Sequence, residues 1–347
     1  MYAEKQLLKS QGTSGFVIPK KENDQQKGED NMNIDIQYLL FLQEIRNATG
    51  GIFDEIFNMI SKIAVDIMPI LPFLIYWAVN KNWGYRFMGT LWGGEILNGT
   101  IKLSVCAYRP WIRDARIEPA GDSKVAATGY SFPSGHTMCA TATYGSVVAW
   151  QHKRRKWLAV FCGIMILLTG FSRNFLGVHT PQDVIVGFTE TVIIILIAGT
   201  IQKKTATNPA FADKLTIAGV ILVIAVLIYI TVKPYPMDYV NGELLVDPQK
   251  MMNDTFKAAG GFLGLLIGSY AERHYVKYKI PVGAELLPAM ACVGTAILFI
   301  WTQYLTTVTF KVWFGAHWGN FISYMLMMIF AVAVYPIFIM KYASNKK

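Results

Sequence analysis

Apolar residues fall in runs of about twenty, separated by short polar or charged breaks. The approximate limits of the runs are 59–80, 86–107, 136–151, 157–173, 184–202, 215–233, 258–272, 285–306 and 317–340. Runs of this length match the hydrocarbon thickness of a bilayer. The pattern predicts an all-α polytopic membrane bundle of about nine transmembrane helices. The breaks "NKNWGYR", "QHKRRK", "QKKTATNPAFADK" and "ERHYVKYKIP" are too short for a soluble domain, and no internal repeat is evident. Residues 1–35 include "KKENDQQKGEDN", which has almost no apolar content. They read as a disordered polar tail without the layout of a signal peptide, and Met32 is an alternative candidate start.

Composition agrees with a membrane protein: 53% of the 347 residues are hydrophobic and 16% are charged. A soluble domain carries nearer a quarter charged residues. The net charge of +9 would suggest a nucleic-acid partner in a soluble chain. Here the basic residues sit in short loops between apolar runs, so they read as topology signals and not as a nucleic-acid surface. Alternate loops hold Lys81 and Arg86, then Lys153 to Lys156, then Lys203, Lys204 and Lys214, then Arg273, Lys277 and Lys279, with Lys341, Lys346 and Lys347 at the end. With nine spans all of these lie on one side, which should be cytoplasmic. The N-terminus and the loops 108–135 and 174–183 are then outside. Cys106, Cys139, Cys162 and Cys292 fall in or beside apolar runs without a CxxC pair, and read as inert buried thiols.

The outer loops nevertheless carry Arg109, Arg113, Arg116, Lys124 and Arg173, against the charge rule. The chemistry lies among these exceptions. Lys102 and Arg109 are seven residues apart, two turns if both are on one helix, and roughly 10 Å along its axis. A lysine inside an apolar span is costly and marks a candidate site, though it could simply snorkel to the interface. Glu95, a further seven residues back, could partner it. Ser134, Gly135 and His136 stand at the start of the third run. A helix N-terminus there would offer unpaired N–H groups to an anion, with glycine permitting close approach, while Ser134 could equally be a plain cap. In "SRNFLGVHTPQD", Thr180 and Pro181 look like a cap and first helical residue. That puts His179 just before a helix and Asp183 in its first turn, where the carboxylate could fix the imidazole tautomer or only complement the dipole.

The three sets converge on one membrane face with cations, two histidines, a carboxylate and a helix N-terminus. That inventory suits phosphoryl transfer. Lys102, six residues, Arg109-Pro110; then Pro133-Ser134-Gly135-His136; then Ser172-Arg173, five residues, His179, three residues, Asp183: this resembles the complete signature of the type 2 phosphatidic acid phosphatase superfamily. The signature spans 102–183. The stretch "RPWIRDARI…ATGYSFPSGHT" resembles bacterial members, and the nine-span layout is similar to glucose-6-phosphatase and the sphingosine-1-phosphate phosphatases. Beyond about residue 205 the resemblance is one of layout only.

The resemblance implies a core six-helix phosphatase unit within 36–205, followed by C-terminal transmembrane helices over 206–347. It implies that His179 is the nucleophile that becomes phosphohistidine, that Asp183 orients it, and that His136 protonates the leaving oxygen and then activates water. Lys102, Arg109, Arg173, Ser134 and the Gly135 backbone would bind phosphate, with no metal and no cofactor. The expected activity is hydrolysis of a lipid phosphate or diphosphate at the outer face of a bacterial plasma membrane, with membrane lipids as neighbours. A soluble phosphate ester, or a non-catalytic lipid-binding or transport role, is the alternative. Asp66, Glu95 and Glu190 lie within spans, where internal pairing and a substrate role are both open, and His317 reads as an interface residue.

Overall fold

The computed structural model describes residues 22–127, 129–240 and 242–344. The first helix, α1 (Glu22–Ala48), covers the second part of the segment 1–35 that the sequence suggested is a disordered polar tail, while residues 1–21 lie outside the described residues. Its C-terminal half is anchored. The Gln43 amide donates to the Arg116 carbonyl at 3.0 Å and accepts from the Glu118 N–H at 2.8 Å. Arg46, 5% exposed, donates to the Phe175 carbonyl at 3.4 Å.

The next helical stretch, α2 (Ile52–Val79), contains Pro69 and Pro72, which lack N–H donors. Its hydrogen bonding accordingly shifts to tighter and wider turns over Ile63–Val79. There follow α3 (Lys81–Val105), α4 (Gly135–Gln151), α5 (Lys156–Phe175), α6 (Pro181–Thr207), α7 (Pro209–Val232) and α8 (Pro248–Ala271). A long helical run, Leu287–Tyr342, closes the chain and is broken at Gly315, whose φ of 76° only glycine adopts readily. The run doubles back on itself. Trp301 Nε1 donates to Ser323 Oγ at 3.0 Å, and the Tyr335 hydroxyl donates to the Met290 carbonyl at 2.5 Å, so its two halves are antiparallel.

Among the described residues five helical stretches are long and apolar enough to cross a membrane: α2, α5, α6, α7 and the terminal run. By this measure, which counts the doubled-back terminal run once, the nine spans expected from the sequence are not confirmed. The reason is visible in the other helices. α3 carries Lys81, Arg86, Glu95 and Lys102, α4 has only 17 residues, and α8 carries Lys250, Asp254 and Lys257. These helices fill the interior. α3 packs against α4, α6 and α8, α4 against α5 and α6, and α8 against the terminal run. Small residues let them close up: a Cβ at Gly261 of α8 would stand 2.3 Å from the Trp92 ring of α3.

One end of the bundle is tied by ion pairs. Lys81 meets the fully buried Glu272 at 2.6 Å, which also accepts from the Tyr85 hydroxyl and the Tyr278 N–H. Arg273 and His274 both meet Asp213. At the opposite end the segments 106–127 and 174–180 meet, the Ala120 N–H donating to the Leu176 carbonyl at 3.0 Å and Arg109 Nη1 to the Val178 carbonyl at 3.0 Å.

Candidate active site

The helix carrying Lys102 does not reach Arg109, so the two are not related by two helical turns. α3 stops at Val105, and Cys106 turns into the left-handed region at φ 54°. Arg109 precedes Pro110, whose ring disfavours helical backbone in the residue before it, and Arg109 is extended at φ −64°, ψ 153°. The chain thus turns the arginine back toward the bundle, where it is 5% exposed.

At α4, Ser134 is extended and caps the helix, accepting from the Thr137 N–H at 3.4 Å and the Thr137 hydroxyl at 3.0 Å. The Ser134 N–H donates to the Asp183 carbonyl at 2.9 Å, which joins the second set of residues to the third. This closeness requires Gly187, where a Cβ would stand 2.6 Å from the Ser134 carbonyl oxygen. At α6, Thr180 and Asp183 form a reciprocal capping box around Pro181. The Asp183 carboxylate therefore does two jobs: Oδ2 accepts from the Thr180 N–H at 2.9 Å and faces His179 Nδ1 at 3.1 Å.

The other ring nitrogen of His179 identifies the tautomer. Arg109 Nη1 lies 2.9 Å from His179 Nε2. A guanidinium only donates, so Nε2 must accept, and the ring proton then sits on Nδ1 and is given to Asp183. His179 is 2% exposed. Burial, then the neighbouring Arg109 charge, pushes its pKa down to about 3 against the opposing pull of Asp183. The imidazole is neutral at physiological pH, with its in-plane lone pair on the side of the arginine. Arg109, lowered to about 10 by burial, keeps its charge there.

Arg173 is 1% exposed; Nη1 donates to Ser61 Oγ at 3.0 Å, while Nε and Nη2 have no hydrogen-bond partner among the described residues. Buried guanidinium donors are costly to leave unpaired and are well shaped for a phosphate. His136 is half-buried, within electrostatic reach of Arg173, His179, Arg109 and Lys102. Lys102 does not pair with Glu95. Its ammonium donates to the carbonyls of Tyr130, Ser131 and Pro133 at 3.2, 3.3 and 2.8 Å. It fastens the loop that leads into Ser134 and brings its charge to the same place. The backbone of Gly135 is beside it, across from Asn98. All eight residues singled out from the sequence thus gather around the Arg109–His179–Asp183 row. His317 does not join them: its Nε2 is 2.8 Å from the Gln249 carbonyl.

Three supporting residues carry no signal in the sequence. The Ser131 hydroxyl donates to Asp183 Oδ2 and lies 3.5 Å from His179 Nδ1. Asn174 Nδ2 donates to the His179 carbonyl at 2.9 Å. Ser61, on α2, holds Arg173 from 112 residues away. Serine and asparagine are common in loops and on helices, and only the fold shows which ones meet the site.

Among the described residues no group of three His, Cys, Asp or Glu side chains is disposed to hold a metal ion. The family model of the PAP2 superfamily matches residues 83–206, which include every residue of the row. Phosphatidylglycerophosphatase B of Bacillus subtilis (strain 168) is 30% identical over 143 residues, covering 38% of this chain and 69% of that protein. No solved structure matches the chain.

Proposed function

The chain belongs to the PAP2 superfamily and is a membrane-bound phosphatase, and from that premise we propose that it hydrolyses a lipid phosphate through a phosphohistidine on His179, without a metal, at the outer face of the membrane. The observation that supports this most is the polarised imidazole: Asp183 on Nδ1, a cation on Nε2, and unpaired donors on Arg173 nearby.

As a phosphate enters, its oxygens compete for Arg109 and draw the guanidinium off Nε2. Arg109, Arg173, the Ser134–Gly135 helix end and the charge of Lys102 hold the three non-bridging oxygens. The Nε2 lone pair attacks phosphorus in line with the bond to the leaving oxygen. As that bond breaks, His136 gives its proton to the departing alkoxide. The imidazole gains positive charge, which Asp183 stabilises through the Nδ1 proton. Water then loses a proton to His136 and attacks phosphorus. The P–N bond breaks, its electron pair returns to Nε2, and phosphate leaves. Three cationic side chains and a helix N-terminus supply the positive field that a divalent ion gives in other phosphatases.

A panel of phosphatidic acid, phosphatidylglycerol phosphate and a prenyl diphosphate, assayed for phosphate release with EDTA and with vanadate, tests the reading. Turnover should survive EDTA and fall with vanadate, a mimic of five-coordinate phosphorus. Loss on chelation that magnesium restores would refute the metal-free mechanism.

A further inference from the structure

Helix α1 lies outside the matched family region of 83–206, yet it touches both segments that carry the site's loops, 106–127 and 174–180. Asp35 Oδ1 accepts from Nε2 of Gln182, in the first turn of α6, at 2.5 Å. Further along, Ile36 and Leu39 are buried with Ile117, and Trp111 packs beside them. Two residues before Trp111 is Arg109, whose guanidinium is 5.9 Å from the Trp111 ring. Arg46 closes the row, donating to the carbonyls of Glu118 and of Phe175, the last residue of α5. From Asp35 to Arg46 is about 16 Å along the helix axis. Both α5 and α6 are long and apolar enough to cross a membrane, and the short segment 174–180 joins them at one face. A helix that touches the end of one and the start of the other runs across that face and not along the bundle.

From residue 34 onward the side chains of α1 fall on three sides. Ile36, Leu39, Leu42 and Arg46, three or four apart, are buried. Gln37, Glu44 and Asn47 are polar and exposed. Ile34, Phe41 and Ile45, at spacings of seven and four, share a third side and are 63%, 57% and 38% exposed. One protein side, one polar side and one apolar side is the pattern of a helix lying in a lipid–water interface. The chain itself points to lipid as the cover. After α1, Gly50 and Gly51 both take the left-handed region, at φ 62° and 72°. They turn the chain directly into α2, which is long and apolar enough to cross the membrane and exposes Ile52, Phe53 and Ile56 in its first turns. The apolar stripe of α1 thus runs on into the exposed apolar face of a membrane-crossing helix.

We propose that α1 is an interfacial helix, with Ile34, Phe41 and Ile45 seated among lipids at the membrane face that carries the site. Its buried side holds the Arg109 and His179 segments to that surface. Arg46 is the positioning residue, because its two acceptors lie one on each segment and the guanidinium fixes their spacing. The lipid surface thereby sets the height of the site over the bilayer, as suits a phosphate carried on a lipid headgroup. This deepens the lipid-phosphatase reading, and its consequence for activity rests on that reading.

The test places a nitroxide label on Phe41→Cys and, separately, on Glu44→Cys. The full chain, with its native cysteines replaced by alanine, is reconstituted in vesicles of phosphatidylcholine and phosphatidylglycerol. Spin relaxation is measured with oxygen, which partitions into lipid, and with a nickel chelate, which stays in water. The label at 41 should respond more to oxygen and the label at 44 more to nickel. Equal response to nickel at both positions overturns the proposal. So does a label at 41 that neither agent reaches, which would show a second copy of the chain covering the stripe. The unsubstituted chain gives an independent check. A phosphatidylcholine with a diazirine high on its acyl chain should crosslink to the peptide holding Phe41 and Ile45, and crosslinks confined to α2 would overturn the seat. For activity, the double variant Phe41→Asp, Ile45→Asp, checked by thermal unfolding, is compared with the wild type on two substrates. The ratio of kcat/KM for phosphatidic acid to that for soluble p-nitrophenyl phosphate should fall several-fold; an unmoved ratio overturns the link between lipid seat and turnover. Arg46→Ala should lower kcat on p-nitrophenyl phosphate several-fold at unchanged KM, with partial recovery in Arg46→Lys. A folded Arg46→Ala with the kcat of the wild type overturns the positioning role. A label at 41 in lipid, on a chain that turns over neither substrate, supports the seat and removes the phosphatase reading instead.

Discussion

Asp183→Asn separates charge from shape at the centre of the site. In the wild type Oδ2 collects the Ser131 hydroxyl, the His179 Nδ1 proton and the Thr180 N–H. An asparagine can turn its carbonyl oxygen toward the same three donors, so the capping box and the ring orientation persist. The negative charge is what disappears. A carboxylate 3.1 Å from a fully formed imidazolium interacts by about 5 kcal/mol at an effective dielectric of about 20. That is a factor of roughly 10⁴ in rate if the transition state carries the whole charge, and roughly 10² if it carries about half. Asp183→Asn should therefore lower kcat between about 10²- and 10⁴-fold. The assay is phosphate release from a lipid phosphate in mixed micelles, with thermal unfolding to confirm the fold. A folded variant within about fivefold of the wild type would refute the role given to the carboxylate, because that gap is only about 1 kcal/mol.

Other consequences can be checked in parallel. With p-nitrophenyl phosphate, whose leaving group needs no proton, phosphoenzyme formation should not decline as pH falls through the ordinary imidazole range near 6.5. The His179 pKa is depressed to about 3, so the ring stays neutral and nucleophilic well below that range. An acid limb near 6.5 that disappears only in His179 variants would contradict this. Ser131→Ala removes one donor from Asp183 and should lower kcat about three- to tenfold without unfolding the protein; an unchanged kcat would show that the hydroxyl does not steer the carboxylate. The distribution of basic loops predicts that a membrane-impermeant thiol reagent on intact cells labels Asp122→Cys and not Arg154→Cys, in a background without native cysteines. Labelling of the second alone would invert the topology.

Much of the site was legible because its chemistry is written in short, ordered segments. Ser134 before Gly135, and Thr180-Pro181 with Asp183, signal helix starts, and both are capped as that pattern requires. Arg109 lies beside His179, but not for the geometric reason the spacing suggested: Cys106 and Pro110 break the helix that the spacing assumed. Glu95 as a partner for Lys102 failed because a helical repeat of seven gives a shared face and not a contact, and three loop carbonyls satisfy the ammonium first. Ser131, Asn174 and Ser61 were illegible because they act through tertiary proximity. Length and composition alone leave the nine spans unconfirmed for a related reason. Apolar runs mark both lipid-facing and interior helices, and α3, α4 and α8 form the interior on which the charged groups of the site are carried.

The central claim is that His179 accepts the phosphoryl group, and trapping tests it most directly. Radiolabelled lipid phosphate is mixed with the enzyme, quenched in alkali, and the label mapped by peptide mass spectrometry. The account predicts alkali-stable, acid-labile phosphate on the peptide holding His179, absent in His179→Ala, and in His136→Ala accumulating only from labelled p-nitrophenyl phosphate, whose leaving group needs no proton. Label that persists in His179→Ala, or that maps to a serine or to His136, would contradict it.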